Sequence, residues 1–149
     1  MNLKKPIKYA VALAIYNQDR SKYIIVKRPL VDDSLPGYWG FPANSKKTSD
    51  EAWEDVVHRA ARIKLGVEIE IIQMIGEDEI DRGSYILRLR DYQVKVINGE
   101  IEVPQANSEG TQYIEMKWTN DPRELIKSAK KGSLCSRIFL KANNISWKE

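Results

Sequence analysis

Residues 48 to 66 constrain this chain more than any other segment: they carry the signals of one long amphipathic helix with β-rich runs on either side. Thr48-Ser49-Asp50-Glu51 has the form of a capping box, in which the Thr48 hydroxyl and the Glu51 carboxylate each satisfy a backbone amide left free at a helix start. The helix is expected to run to about Leu65, with Gly66 at the left-handed stop and Val67 opening a β-rich run through Ile72.

The segments around it read as strands. Large side chains at Ile7, Tyr9, Val11, Leu13 and Ile15 alternate with Lys8, Ala10, Ala12 and Ala14, so the N-terminal stretch has a strand's period of two, although Lys4, Lys5 and Lys8 superficially imitate a signal peptide. A second strand, Lys22 to Lys27, follows the turn-like Asn17 to Arg20, which predicts a hairpin. Tyr38 to Asn44 is an aromatic and glycine-rich run that can form a short strand entering a turn. After the helix, Glu77 to Asp81 reads as an acidic loop, Tyr85 to Ile97 as a long strand, Asn98-Gly99 as a turn, and a further strand ends at Trp118. Asp121-Pro122 caps another helix that Gly132 stops, and Ser133 to Ala142 forms the last one. Strands, one long helix, more strands and a closing helix pair predict an α+β chain: a mixed α/β sandwich without regular βαβ repetition.

Bulk properties narrow the class. At 149 residues the chain fits one domain that buries roughly 70% of its unfolded surface, so its core needs no staples. A single cysteine, Cys135, excludes an intrachain disulfide and makes a reducing cytoplasm the expected location. The balance of 24 basic and 21 acidic residues permits an anionic ligand but does not argue for nucleic acid or a membrane surface. No apolar run approaches the roughly 20 residues a spanning helix requires.

Ser45 to Val67 resembles the box of the Nudix (MutT-like) hydrolases, G-x5-E-x7-R-E-U-x-E-E-x-G-U with U a bulky aliphatic, through Glu51, Arg59, Gly66 and Val67 at the right spacings. Tyr38-Trp39-Gly40-Phe41-Pro42 is similar to the run preceding that box, and Glu115 to Leu125 to the later strand, tryptophan and helix. The resemblance implies a single Nudix-like domain over residues 1–149, an α/β/α sandwich with a mixed central sheet, magnesium or manganese as cofactor, nucleoside diphosphate derivatives as ligands and frequent homodimers. It also marks departures. Ser45 stands at the first glycine, Ala60 at the acid after the arginine, and Ile63 and Lys64 at the paired acids that hold the metal in the family.

No other acid on the helix replaces them. On a helical projection from Glu51, Ala60, Ile63 and Lys64 fall at about 180°, 120° and 220°, with Val56, Trp53 and Val57, whereas Glu54, Asp55, His58 and Arg62 lie within about 60° of Glu51. Glu51 therefore fits the capping box, or, by resemblance, a catalytic role. Arg59 follows Asp55 by one turn and fits a surface ion pair, and in the family this arginine, like Gly66, is mostly structural. Lys64, the lone charge on an apolar face, either snorkels to the helix end or sets its ammonium where the metal would have been, as a fixed cation for a diphosphate. By resemblance Arg28 faces the phosphate side of the pocket, with Lys27 turned away, and Tyr38 and Trp39 are candidates to stack on a base. His58 reads as solvated and Cys135, beside Leu134 and Ile138, as packing.

Three functions are open on this basis: a Nudix-fold protein that binds a nucleotide or diphosphate ligand without the usual metal-dependent hydrolysis; a divergent hydrolase using Glu51 and loop acids such as Glu77 or Asp78; or a non-catalytic interaction module whose pocket is closed by Trp53 and Ile63.

Overall fold

A computed structural model describes residues 4–30, 35–105 and 112–147. The larger sheet has the order β4 (Ala43–Ser45), β1 (Ile7–Ile15), β6 (Ile86–Asn98), β5 (Glu68–Asp81), with β1 parallel to β6 and the other pairs antiparallel. The smaller, antiparallel sheet has the order β3 (Trp39–Gly40), β2 (Tyr23–Lys27), β7 (Glu115–Thr119). Helix α1 spans Trp53–Leu65, and a 3-10 turn at Pro122–Leu125 leads into α2 (Ile126–Lys130) and α3 (Leu134–Ala142). This is the expected sandwich around a mixed sheet.

The alternation in β1 explains how helices cover both faces of that sheet. Val11, Leu13 and Ile15 pack in one buried cluster with Val56, Val57, Ala60, Ala61 and Leu65 of α1. Ala10, Ala12 and Ala14 point the other way and pack in a second cluster with Leu134, Ile138 and Phe139 of α3. Small residues are needed there because α3 comes close: a Cβ on Gly76 of β5 would stand 2.9 Å from the Ile138 Cγ2. Each fully buried Ile, Leu or Val side chain contributes about 1.5–3 kcal/mol of transfer free energy. No described helix is long and apolar enough to cross a membrane.

Three local expectations are corrected. First, β1 and β2 do not pair as a hairpin. The chain reverses at Asn17–Arg20, but only Tyr16 and Tyr23 bridge, because the two edges of β1 are taken by β4 and β6. Second, Glu77 to Asp81 is not a loop. It is the second half of a 14-residue strand, and three of its four acids are neutralised by bases they meet through the fold: Glu77 faces Arg90 and Glu79 faces Arg88 across the ladder, and Asp81 pairs with Lys5. The reversal comes later, where Gly83 adopts φ 95° and its amide donates to Asp81.

Third, α1 begins at Trp53 with Ala52 as its cap and no side-chain capping bond, so the Thr48 capping box does not form. The Thr48 hydroxyl donates instead to Asp50. The helix ends as expected, at Gly66 with φ 74°. The Asp121 cap also forms as expected, accepting from the Arg123 amide, and the last helix starts one residue later than expected, with Ser133 as its cap accepting from the Ser136 amide.

Candidate functional site

Glu51 is drawn away from the helix start by Arg59. The Arg59 Nη2 donates to both Glu51 carboxylate oxygens, at 2.8 and 3.1 Å, and to the Ser45 carbonyl at 2.9 Å, while the Lys47 amide donates to Glu51 at 2.7 Å. This clasp fastens residues 45–51 to the side of α1. It also replaces the expected surface pair with Asp55, since Arg59 is buried and Asp55 exposed. The Lys47 amide foremost, with the Arg59 guanidinium, holds the Glu51 carboxyl below its usual range. An acid that accepts from three donor atoms, the Lys47 amide and the Arg59 Nε and Nη2, is a structural tie first.

Beside the clasp lies a cavity of about 540 Å³ between the two sheets and the start of α3. Its wall holds Arg28 from the end of β2, Lys64 from the last turn of α1, Arg82 from the turn after β5, and Lys131 from the end of α2. Lys64 is only 4% exposed, so its ammonium does not reach solvent at the helix end as a snorkelling side chain would. Asn44 adds an amide whose Nδ2 is buried and makes no hydrogen bond among the described residues. Trp39, Phe41 and Leu89 supply apolar wall. No carboxylate lines this cavity among the described residues.

The structure therefore unites Arg28 and Lys64, and separately Glu51 and Arg59. Ser45 touches both groups, since its carbonyl accepts from Arg59 and its residue lines the cavity. Lys27 turns away and pairs with Glu115, as strand alternation requires. Tyr38 is not in the cavity wall; Trp39 is. Neither Trp53 nor Ile63 closes the cavity. Trp53 is held elsewhere, between Lys46 and Arg90 at 4.2 and 4.1 Å from its ring centroid. Glu77 is engaged by Arg90, Asp78 accepts from the Glu79 amide, and His58 stands on the exposed face of α1.

A hard divalent cation requires several oxygen ligands. The cavity offers a lysine at the helix position concerned, Glu51 is engaged by Arg59, and no group of three or more His, Cys, Asp or Glu residues suited to a metal occurs among the described residues. The donor set does not fit magnesium or manganese.

Sequence reasoning missed Arg82, Lys131 and Asn44, which approach from segments distant in the chain, and it missed Asp91. Asp91 lies mid-β6, 1% exposed, between Ala12 and Gly76 on the neighbouring strands, and neither carboxylate oxygen has a hydrogen-bond partner among the described residues. Burial pushes its pKa well above the usual carboxylate range. Cys135, in the cavity wall, is raised by its own burial and then by the charge of Asp91. A raised thiol is a poor nucleophile, in keeping with a packing role.

This arrangement of sheets and helices is that of known proteins. A MutT protein from Methanosarcina mazei superposes with a TM-score of 0.68 at 15% identity, over 96% of this chain and 97% of that one. A Nudix hydrolase from Nitrosomonas europaea gives 0.69 at 13% identity, over 94% and 89%. The chain has the Nudix fold. A UDP-X diphosphatase shares this Nudix fold at a TM-score of 0.62 and 11% identity, over 97% of this chain and 66% of that one. At such identities the likeness is one of architecture. No protein-family profile matches the sequence, and no curated protein does.

Proposed function

We propose that this Nudix-fold protein binds a nucleoside-diphosphate-type ligand through its diphosphate and has exchanged the metal-held chemistry of the fold for a fixed cation. One observation carries this reading: the cavity wall brings Arg28, Lys64, Arg82 and Lys131 together with an unfilled Asn44 amide donor, and no acid accompanies them among the described residues. Clustered cations recognise phosphate oxygens by charge and by donor geometry. Lys64 occupies the helix position at which the family's box has a metal-holding acid, so its ammonium replaces the cation that would bridge the phosphates. The cavity volume falls within the range of small-ligand sites. One structural neighbour bears the name UDP-X diphosphatase, which agrees with this ligand class.

A thermal-shift series with inorganic pyrophosphate, ADP, UDP-glucose and ADP-ribose, with and without magnesium, tests the proposal. A ligand at about 100 times its Kd stabilises the folded state by about 2.7 kcal/mol, so binding is visible as a rise in Tm. Stabilisation by a diphosphate in the presence of a chelator, lost in Lys64→Ala, is the expected result. No shift with any ligand overturns binding. Rapid magnesium-dependent cleavage would instead establish a divergent hydrolase.

A further inference from the structure

The two sheets end in four edge strands, and three of these are blunted. Strands β3 and β4 are two and three residues long. Strand β5 is long, but three register shifts interrupt it and α3 packs against it. Short strands, bulges and covering elements are the usual protections of a sheet edge against further pairing. Strand β7 pairs with β2 in unbroken register from Tyr23↔Thr119 to Lys27↔Glu115, and no strand lies on its other side among the described residues.

The phase of the ladder shows which backbone groups that open side carries. The Arg28 amide donates to the Tyr38 carbonyl, so Arg28, Val26 and Ile24 turn their backbone groups towards β3, and Lys27, Ile25 and Tyr23 turn theirs towards β7. Glu115, Lys117 and Thr119 therefore take the bonds to β2, while Met116 and Trp118 turn their amides and carbonyls outward. Their side chains are exposed as well, by 39% and 44%, although their β2 partners Val26 and Ile24 are fully buried in the cluster under α1. One edge thus presents open backbone groups and large apolar side chains at the same two residues.

The charges of β7 select what pairs with it. We propose that β7 joins β7 of a second copy of this chain, antiparallel, about a two-fold axis at Met116. In that register the two Met116 residues exchange their backbone bonds, Trp118 lies diagonally beside Met116 of the other copy, and Glu115 stands opposite Lys117 twice over. An axis at Lys117 would set the two lysines against each other, and an axis at Trp118 would set Lys117 against Thr119. Within each copy Glu115 already pairs with Lys27 and Lys117 with Glu124, so in the joined sheet each charge stands between two of opposite sign. Glu115, Met116, Lys117 and Trp118 do not line the basic cavity, and this proposal stands apart from diphosphate binding.

Sedimentation velocity of the full chain over a range of concentrations is the test. An edge of this size makes a reversible dimer, with an expected Kd of about 10–100 µM. Glu115→Lys and Lys117→Glu each turn both cross-copy pairs into like charges and should each weaken self-association at least about tenfold. Mixed in equal amounts, the two variants should associate as tightly as the parent, because the mixed dimer sets lysines opposite glutamates at both positions. Met116→Pro should abolish the dimer, since it removes the amide at the axis and no bond to β2. Urea midpoints verify that each variant is folded, and if the proline variant is not, Met116→Lys, which puts two ammonium groups at the axis, should abolish the dimer in its place.

A chain that stays monomeric up to about 1 mM overturns the proposal. So does undiminished association in either charge variant or in the folded Met116 variant. Weakened charge variants that do not recover on mixing would place the interface elsewhere and overturn it equally.

Discussion

Asp91 makes the pH dependence of stability a sharp test of how this core is built. Its carboxyl is fully enclosed, its strand neighbours Ala12 and Gly76 offer no side-chain donor, and neither oxygen is paired among the described residues. An unsatisfied buried polar group costs about 1–3 kcal/mol, and ionising it in place costs more. The folded carboxyl consequently keeps its proton at pH values where the unfolded chain, with a carboxylate pKa of about 3.9, has released it. Between those two pKa values the folded state binds more protons than the unfolded state. Stability is therefore highest below the unfolded pKa and falls as pH rises, by about 1.4 kcal/mol per pH unit, until the folded pKa is reached.

Asp91→Asn keeps the shape and removes the ionisation. The variant should be more stable than the parent at pH 7 by more than about 1.4 kcal/mol, with the difference vanishing towards pH 4. Urea midpoints measured from pH 4 to 8, at constant m, give this difference directly. Acids whose pKa is lowered in the fold, such as Glu51, Asp81 and Asp121, give the opposite slope, with stability lost on acidification. They contribute equally to both proteins and cancel. Parallel curves for the two proteins, or a variant less stable at pH 7, would refute the account of a proton held in the core.

Glu51→Gln should destabilise the fold by about 2 kcal/mol, because it leaves the buried Arg59 guanidinium without its carboxylate; an unchanged urea midpoint would show that the clasp is not a tie. Gly66→Ala should cost about 1–2 kcal/mol, since it forces an alanine to φ 74° with its Cβ 2.9 Å from the Gln105 Nε2, whereas Gly40→Ala, with nothing within 4 Å, should be nearly neutral in the same denaturation assay. Glu77→Gln should leave the pyrophosphate-induced rise in Tm unchanged, since Glu77 is engaged by Arg90 outside the basic cavity; loss of that rise would bring β5 back into the site.

What was legible in the sequence is what local chemistry decides. The large and small alternation of Ile7 to Ile15 specifies a strand buried on both sides, and Gly66, Asp121 and Ser133 end or start helices through bonds to residues a few positions away. Distant partners decided the rest. Glu77 and Glu79 looked like a loop because Arg90 and Arg88, which neutralise them, become neighbours only once β5 and β6 pair. Glu51 looked like a cap because Arg59 competes for it from two turns along the helix. Arg28 and Lys64 were visible as members of the candidate site, but Arg82 and Lys131 join them from the ends of β5 and α2, and no spacing in the chain announces such a meeting.

The parallel pairing of β1 with β6 also sets an order of events during synthesis. Ile7 finds its partner only when Ile86 has been made, and β4, the other neighbour of β1, contributes just three residues to the pairing. A ribosome thus releases a strand of alternating valine, leucine, isoleucine and alanine long before most of its hydrogen bonds can form. Closing such a long loop is slow, and an unpaired apolar strand is open to association with other chains. Lys4 and Lys5 stand just before that strand, and charges flanking an apolar segment oppose such association.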